Sequence, residues 1–200
     1  MSATEDRRRR RAERTRREIV EAGAVLFERH GLMRTTVEQI AEHADVSPAT
    51  VYSVAGGKAG VFSTLVEEWH VGAETVDVDG LLARCTDPAE VVAGLGAACV
   101  SVPAYHRTSH IIFSAAPHDE LADSALDGAT GWFRPVVRRF ADRVVELSTG
   151  SAGDPAAVAD VLWFFFGYGA WENLRRDHGD WTLEQRRDWL VSHAMAALRL

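Results

Sequence analysis

The chain is expected to be all-α. Apolar residues recur at helical spacing along most of its 200 residues, capping pairs stand at the starts of these stretches, and no two runs pair as strands. The expected architecture is an N-terminal helix-turn-helix unit of three helices followed by a larger helical domain, about nine helices in all. Ile19, Gly23, Leu26, Phe27 and His30 share one face of the first helix, which runs from the arginine-rich start to Gly31. Thr35 and Thr36, with Glu38 and Gln39 three residues on, offer two capping boxes for a second helix of about two turns. Asp45 and Val46 make the break, and Ser47-Pro48 opens a third helix as N-cap and first-turn proline. Two short helices joined by so tight a turn form a helix-turn-helix.

The fourth helix is read from Lys58 to about Val76, with Asp77 to Gly80 as an interruption. Asp87-Pro88 caps a fifth that Pro103 ends or kinks, and a sixth lies between Ala104 and Ala115, closed by Pro117. Gly128 and Gly131 are expected to break the seventh, whose main piece carries Phe133, Val137, Phe140, Val144 and Leu147. Asp154-Pro155 opens the eighth, and Thr182 with Gln185 boxes the start of the ninth. Val161 to Trp171 is apolar on all sides, which a helix tolerates when both faces are covered.

Composition bounds the function. With 46% apolar residues and six tryptophans the chain can build a real core, and two cysteines make no disulfide framework. No apolar run reaches the ~20 residues of a membrane span, so the expected setting is cytoplasmic, without membrane contact. The net charge of −7 conceals an asymmetry: residues 1–60 hold 11 basic against 9 acidic groups, and residues 61–200 hold 11 against 20. Arg7 to Arg17 contains eight arginines and one acid, an arm suited to a polyanion. Enzyme motifs fail. Ala55 to Gly60 lacks both the first glycine and the Ser/Thr of a phosphate loop, and Gly94 and Gly96 lie in a helical stretch.

Phe27, Gly31, Thr36, Ile40, Ala41, Val46, Ser47, Thr50, Tyr52, Lys58 and Phe62 fall at the spacing of one known pattern. Residues 19–62 thereby resemble the DNA-binding domain of TetR-family transcriptional repressors. Three departures stand out: Val54-Ala55 in place of His-Phe, Gly57 in place of a polar N-cap, and Ala59-Gly60 in place of Glu-Ala. The expected divisions are a basic arm at 1–17, a DNA-binding domain at 18–62, and an effector-binding and dimerisation domain at 63–200. The resemblance implies a homodimer through the eighth and ninth helices, a double-stranded DNA operator and a small-molecule effector, with no cofactor.

In a helix-turn-helix the second helix of the pair lies in the major groove. Ser47, Pro48, Ala49, Thr50 and Ser53 then form the reading face, and Thr36, Tyr52 and Lys58 suit phosphates. Arg9, Arg10, Arg11 and Arg14 of the arm are candidates for a narrow minor groove. No Arg, Lys, Asn or Gln lies between Ser47 and Ser53, so hydroxyls and methyls must read the bases. Candidate effector contacts are Trp69, His70, Cys99, Tyr105, His106 and His110, with Phe113, Trp132, Phe133, Trp163, Phe166 and Asn173 further along; most aromatic stripes are plain core. His106 and His110 are one turn apart without a clear third ligand, so no metal is assigned. The alternative is a helical small-molecule or metal-sensing protein whose helix-turn-helix no longer reads DNA.

Overall fold

The computed structural model describes residues 3–101, 103–148 and 153–200, with backbone alone for residues 3, 4 and 103–105. Among these residues there are eleven α-helices, one 3-10 turn and no strand. They are α1 (Ala3–His30), α2 (Val37–His43), α3 (Pro48–Ala55), α4 (Gly57–Glu74), α5 (Val78–Arg84) and α6 (Pro88–Val100), followed by α7 (Pro103–Ala115), α8 (Glu120–Leu147), α9 (Pro155–Phe166), α10 (Tyr168–Asp177) and α11 (Leu183–Leu198).

The expected caps are in place. Thr36 accepts from Gln39 N while the Gln39 side chain accepts from Thr36 N, and Thr182 and Gln185 repeat the arrangement. Ser47, Asp87 and Asp154 each cap a helix whose first residue is proline.

Five stretches differ from expectation. Residues 3–17 form the opening turns of α1, where Arg10 pairs with Asp6 and Arg14 with Glu18 one turn apart, a pattern that favours helix over an extended arm. Asp77 to Gly80 is no mere interruption, because Asp77 accepts from Gly80 N at 2.8 Å and so caps the additional helix α5. α8 runs unbroken through Gly128, Gly131 and Pro135. Its buried stripe of Ala129, Phe133, Val137, Phe140 and Val144 outweighs ~1 kcal/mol of helix propensity at each glycine. The expected eighth helix is two, α9 and α10, offset at Gly167, whose ψ of 161° is extended. The offset is held by Tyr168 Oη, which donates to Ala129 O at 3.1 Å, and by Trp171 Nε1, which donates to Phe166 O at 3.2 Å. Pro103 does not simply end the fifth helix but opens α7.

Apolar side chains gather in two clusters. One lies among α6, α8, α9, α10 and α11 and contains Val92, Leu95, Phe140 and Leu162. The other is built on Ile19, Phe27, Ile40, Val51 and Phe62 of the first four helices, and it also takes in Ile111, Ile112 and Ala115 of α7. α7 therefore belongs to the packing of the N-terminal helices as well as to the larger helical body.

Candidate nucleic-acid interface and effector cavities

The α2–α3 pair is held by short-range bonds that follow from its residue types. Ala44 to Ser47 make the turn, with Asp45 at φ 53° and Val46 N donating to Ala41 O at 2.9 Å. Ser47 Oγ accepts from Thr50 N at 3.1 Å and lies 2.8 Å from Thr50 Oγ1, and Ser53 Oγ donates to Thr50 O. Val51 is fully buried beneath α3 and Val54 half-buried, which turns Ser47, Pro48, Ala49, Tyr52 and Ser53 to solvent. Thr50 is half-buried at the edge of the same surface. That surface carries hydroxyls, methyls, a proline ring and a phenol, with no long donor.

Behind α3 the departures from the family pattern have a steric reason. The cap of α4 is Gly56 rather than Gly57, at φ 74° and with no side-chain hydrogen bond. Gly57 is also left-handed, and a Cβ there would stand 2.9 Å from the Tyr52 ring. A Cβ on Gly60 would strike the Ala55 carbonyl, so an alanine in that place does not fit this approach of α3 to α4. Tyr52 is 61% exposed, with its ring edge resting over Gly57.

Lys58 Nζ donates to Leu32 O at 3.1 Å. This bond ties the start of α4 to the loop after α1, so Lys58 serves the packing of the unit in this conformation, and a phosphate contact would have to share its remaining protons. Arg9, Arg10, Arg11 and Arg14 are exposed along α1. A helix ~10 Å across does not itself enter a minor groove ~6 Å wide, so any contact of these arginines with DNA would be made by side chains reaching out from the helix surface.

The effector candidates divide between two cavities, a groove and plain core. An apolar cavity of about 40 Å³ between α4, α6 and α8 is walled by Cys99, Trp132 and Phe133, together with Ala73, Leu95 and Phe140. Burial pushes the Cys99 thiol up to about 12, so it is a neutral wall atom. A second cavity of about 30 Å³, between α7, α10 and α11, is lined by His106, His110 and Phe113. The two histidines turn to different partners: His106 Nε2 donates to Cys99 O at 3.0 Å, whereas His110 Nδ1 lies 2.9 Å from Glu172 Oε2. Among the described residues no three His, Cys, Asp or Glu side chains gather around a metal position.

Trp163 and Asn173 line an open groove of about 660 Å³ along α9, α10 and α11, and Arg134 stacks over the Trp163 ring at 4.4 Å. Trp69 and Phe166 are core, and His70 packs edge-on against Trp69 with ring centres 4.7 Å apart. The side chain of Tyr105 lies outside the described residues.

Glu172, Arg175, Arg186 and Ser109 of the second cavity were not among the expected site residues. A signal for them exists. Glu172 and Arg175 interrupt the apolar Trp171 and Leu174, and Arg186 stands in the apolar stripe Leu183, Leu190, Ala194. Burial pushes the Glu172 carboxyl up, but the hydrogen bonds and charges of His110 and Arg175 outweigh it and hold it at about 2.

Known proteins share part of this sequence and most of this geometry. Residues 19–65 match the sequence profile of the bacterial regulatory proteins of the tetR family. The HTH-type transcriptional repressor BdcR of Escherichia coli (strain K12) is 29% identical over 65 residues, 32% of either chain, so the match spans about a third of that repressor's length. Two solved structures share the fold over nearly the whole chain. NalD, the secondary repressor of the MexAB-OprM multidrug efflux pump in Pseudomonas aeruginosa, is 18% identical at a TM-score of 0.64, covering 94% of this chain and 96% of its own. SmeT, the repressor of the Stenotrophomonas maltophilia multidrug efflux pump SmeDEF, is 20% identical at a TM-score of 0.62, covering 91% and 89%. SmeT has also been solved as a complex with triclosan. The helix-turn-helix at residues 19–65 thus carries the sequence pattern of the tetR family of bacterial regulatory proteins, and the chain around it shares the fold of NalD and SmeT.

Proposed function

We propose that the chain is a ligand-responsive DNA-binding regulator, a repressor released from a palindromic operator by a small, mostly apolar molecule. The observation that carries this reading is the α3 surface. Seven consecutive residues, Ser47 to Ser53, present a capped helix start whose exposed groups are hydroxyls, methyls and a phenol, as major-groove reading of thymine methyls and DNA shape requires. Thr36, Tyr52 and Lys58 border it as phosphate contacts, and the basic face of α1 adds affinity. Residues 1–17, 18–62 and 63–200 are proposed as the basic segment, the reading head and the effector and dimerisation domain.

The dimer is proposed through α9, α10 and α11, where Phe164 is 73% and Trp189 36% exposed beside the open groove. Two heads on one palindrome need half-sites about 34 to 36 Å apart or a multiple of that. The apolar cavity supports the effector half of the reading. At about 40 Å³ it is far below the ~300 Å³ of a typical ligand site, so an entering molecule must part α4 from α6 and α8. α4 also carries Phe62 and Leu65 into the packing of the head, so parting it moves the head.

Selection of bound duplexes from a random pool by the purified full chain is the test. An enriched palindrome supports the reading. No enrichment from low to moderate salt overturns it in favour of a helical ligand-binding protein whose head does not read DNA.

A further inference from the structure

The second cavity has a charge account that does not close. Glu172 accepts from Arg175 at 2.9 and 2.7 Å and also faces His110, so the Arg175 cation is matched. Arg186 is not. One terminal nitrogen donates to Trp181 O at 2.8 Å, but its Nε is buried with no acceptor. Ser109 Oγ, lining the same cavity from α7, is likewise buried without a partner. Buried donors without acceptors are costly, and two of them on residues that line one cavity, one belonging to a cation without an ion pair among the described residues, leave a gap with the chemistry of a monoanion. Burial, and then the neighbouring Arg175 charge, hold the Arg186 guanidinium below its ordinary value against the opposing pull of the Glu172 and Asp180 carboxylates. The rest of the wall is aromatic: Phe113, Tyr168 and Trp171.

We propose that this cavity opens into a second effector site: at about 30 Å³ it is water-sized as it stands, so its walls must part for a small organic acid to place its carboxylate between Arg186 and Ser109 and its apolar body against the aromatic wall. A dianion such as phosphate fits less well, since Arg186 is, among the described residues, the one cation there without an ion pair and the Glu172 carboxylate stands nearby. The site goes beyond the apolar cavity of the preceding reading, and it reaches the head by a different route. Ser109 and His110 lie on the cavity face of α7, while Arg107, Ile111 and Ile112 on the same helix touch α1 and the head's packing. An acid entering this cavity must shift α7 relative to α10 and α11, and α7 carries Arg107, Ile111 and Ile112 against α1 and the N-terminal packing.

The test is thermal unfolding of the full chain with sodium benzoate, and with benzamide as its uncharged isostere, at constant ionic strength. Benzoate at tenfold its Kd is expected to raise Tm by ~3 to 6 °C, whereas benzamide at the same concentration leaves it unchanged. R186M is expected to abolish the shift and S109A to weaken benzoate binding by roughly tenfold, as loss of a hydrogen bond to a charged group does. If R186M does not fold, S109A carries the comparison. Equal shifts from benzoate and benzamide, a benzoate shift unchanged in the variants, or no shift at all would overturn the site. The proposal rests on the regulator reading only for its effect on DNA. No benzoate shift alongside an enriched palindrome removes this site and leaves the regulator, and a benzoate shift without any enriched duplex does the reverse.

Discussion

The guanidinium of Arg107 on α7 meets both carboxylate oxygens of Glu21 on α1, at 2.7 and 2.9 Å, across 86 residues of chain. The hydrogen bond from Arg107 holds the Glu21 carboxyl below its ordinary value against the opposing pull of burial. Glu21 is 61% exposed, so the pair is screened and adds little to stability. Its placement matters more, because it joins the helix that borders the polar cavity to the first helix of the head. R107M, E21Q and the double variant are each expected to cost less than ~1 kcal/mol in denaturant unfolding. All three should equally reduce the effector-induced loss of DNA binding, measured by titrating a bound duplex. Wild-type release in all three would show that the pair carries no signal.

Two glycines separate backbone conformation from packing. Gly57 has φ 73° and the Tyr52 ring at 2.9 Å from a Cβ position, whereas Gly128 stands exposed in α8 with nothing within 4 Å. Gly57→Ala is expected to destabilise by ~1 to 3 kcal/mol and to displace Tyr52. Gly128→Ala is expected to stabilise by ~0.5 to 1 kcal/mol. Urea midpoints of the two variants give the signs directly.

Acid is expected to weaken the fold through His106. Burial pulls this imidazole from 6.5 down to about 4, against the Cys99 carbonyl, which favours the protonated ring. The folded state therefore resists a proton that the unfolded chain accepts, so stability is full above 6.5 and is lost as pH falls from 6.5 to 4. The loss by pH 4.5 is about 2 to 3 kcal/mol. H106Q should flatten this window in urea titrations at pH 7 and 4.5. A further loss below pH 4.5 should remain, because Glu172, held at about 2, is then the group that takes up protons.

DNA binding by a surface without long base-reading donors leans on phosphates. The affinity of the selected duplex is expected to fall as salt rises, by ~0.9 log units per neutralised phosphate per decade. Replacing Arg10 and Arg14 together by Gln should reduce that slope by up to ~2 without changing the preferred sequence. Thr50→Val, which keeps a methyl and loses the hydroxyl bonded to Ser47, should alter the preferred sequence with little change in slope. A sequence preference untouched by Thr50→Val would remove α3 as the reading element.

Local rules carried the reading of the fold where the chemistry is local. Thr36 with Gln39, Asp45 at its left-handed turn, and Ser47 before Pro48 are bonds made within a few residues, and each is legible from residue type and spacing. Where the outcome depends on distant partners, the same rules misled. Gly128 and Gly131 weaken a helix in isolation, yet the stripe of α8 is buried against other helices. Gly167 sits in an apolar run that reads as one helix, and the break depends on Tyr168 reaching Ala129, 39 residues away. The site divides the same way. The α3 surface could be read in sequence, but the meeting of Ser109, Glu172 and Arg186 is a product of packing between three helices.

Because Ile111, Ile112 and Ala115 of α7 fill the same apolar cluster as Ile19, Phe27 and Phe62, the reading head has no closed surface of its own. A polypeptide ending at residue 62 would lay bare the seat of those side chains and be prone to self-association. Heating the full chain should accordingly give one calorimetric transition rather than two, so that any substitution weakening the packing around the two cavities also lowers the fraction of molecules holding an intact α3 surface.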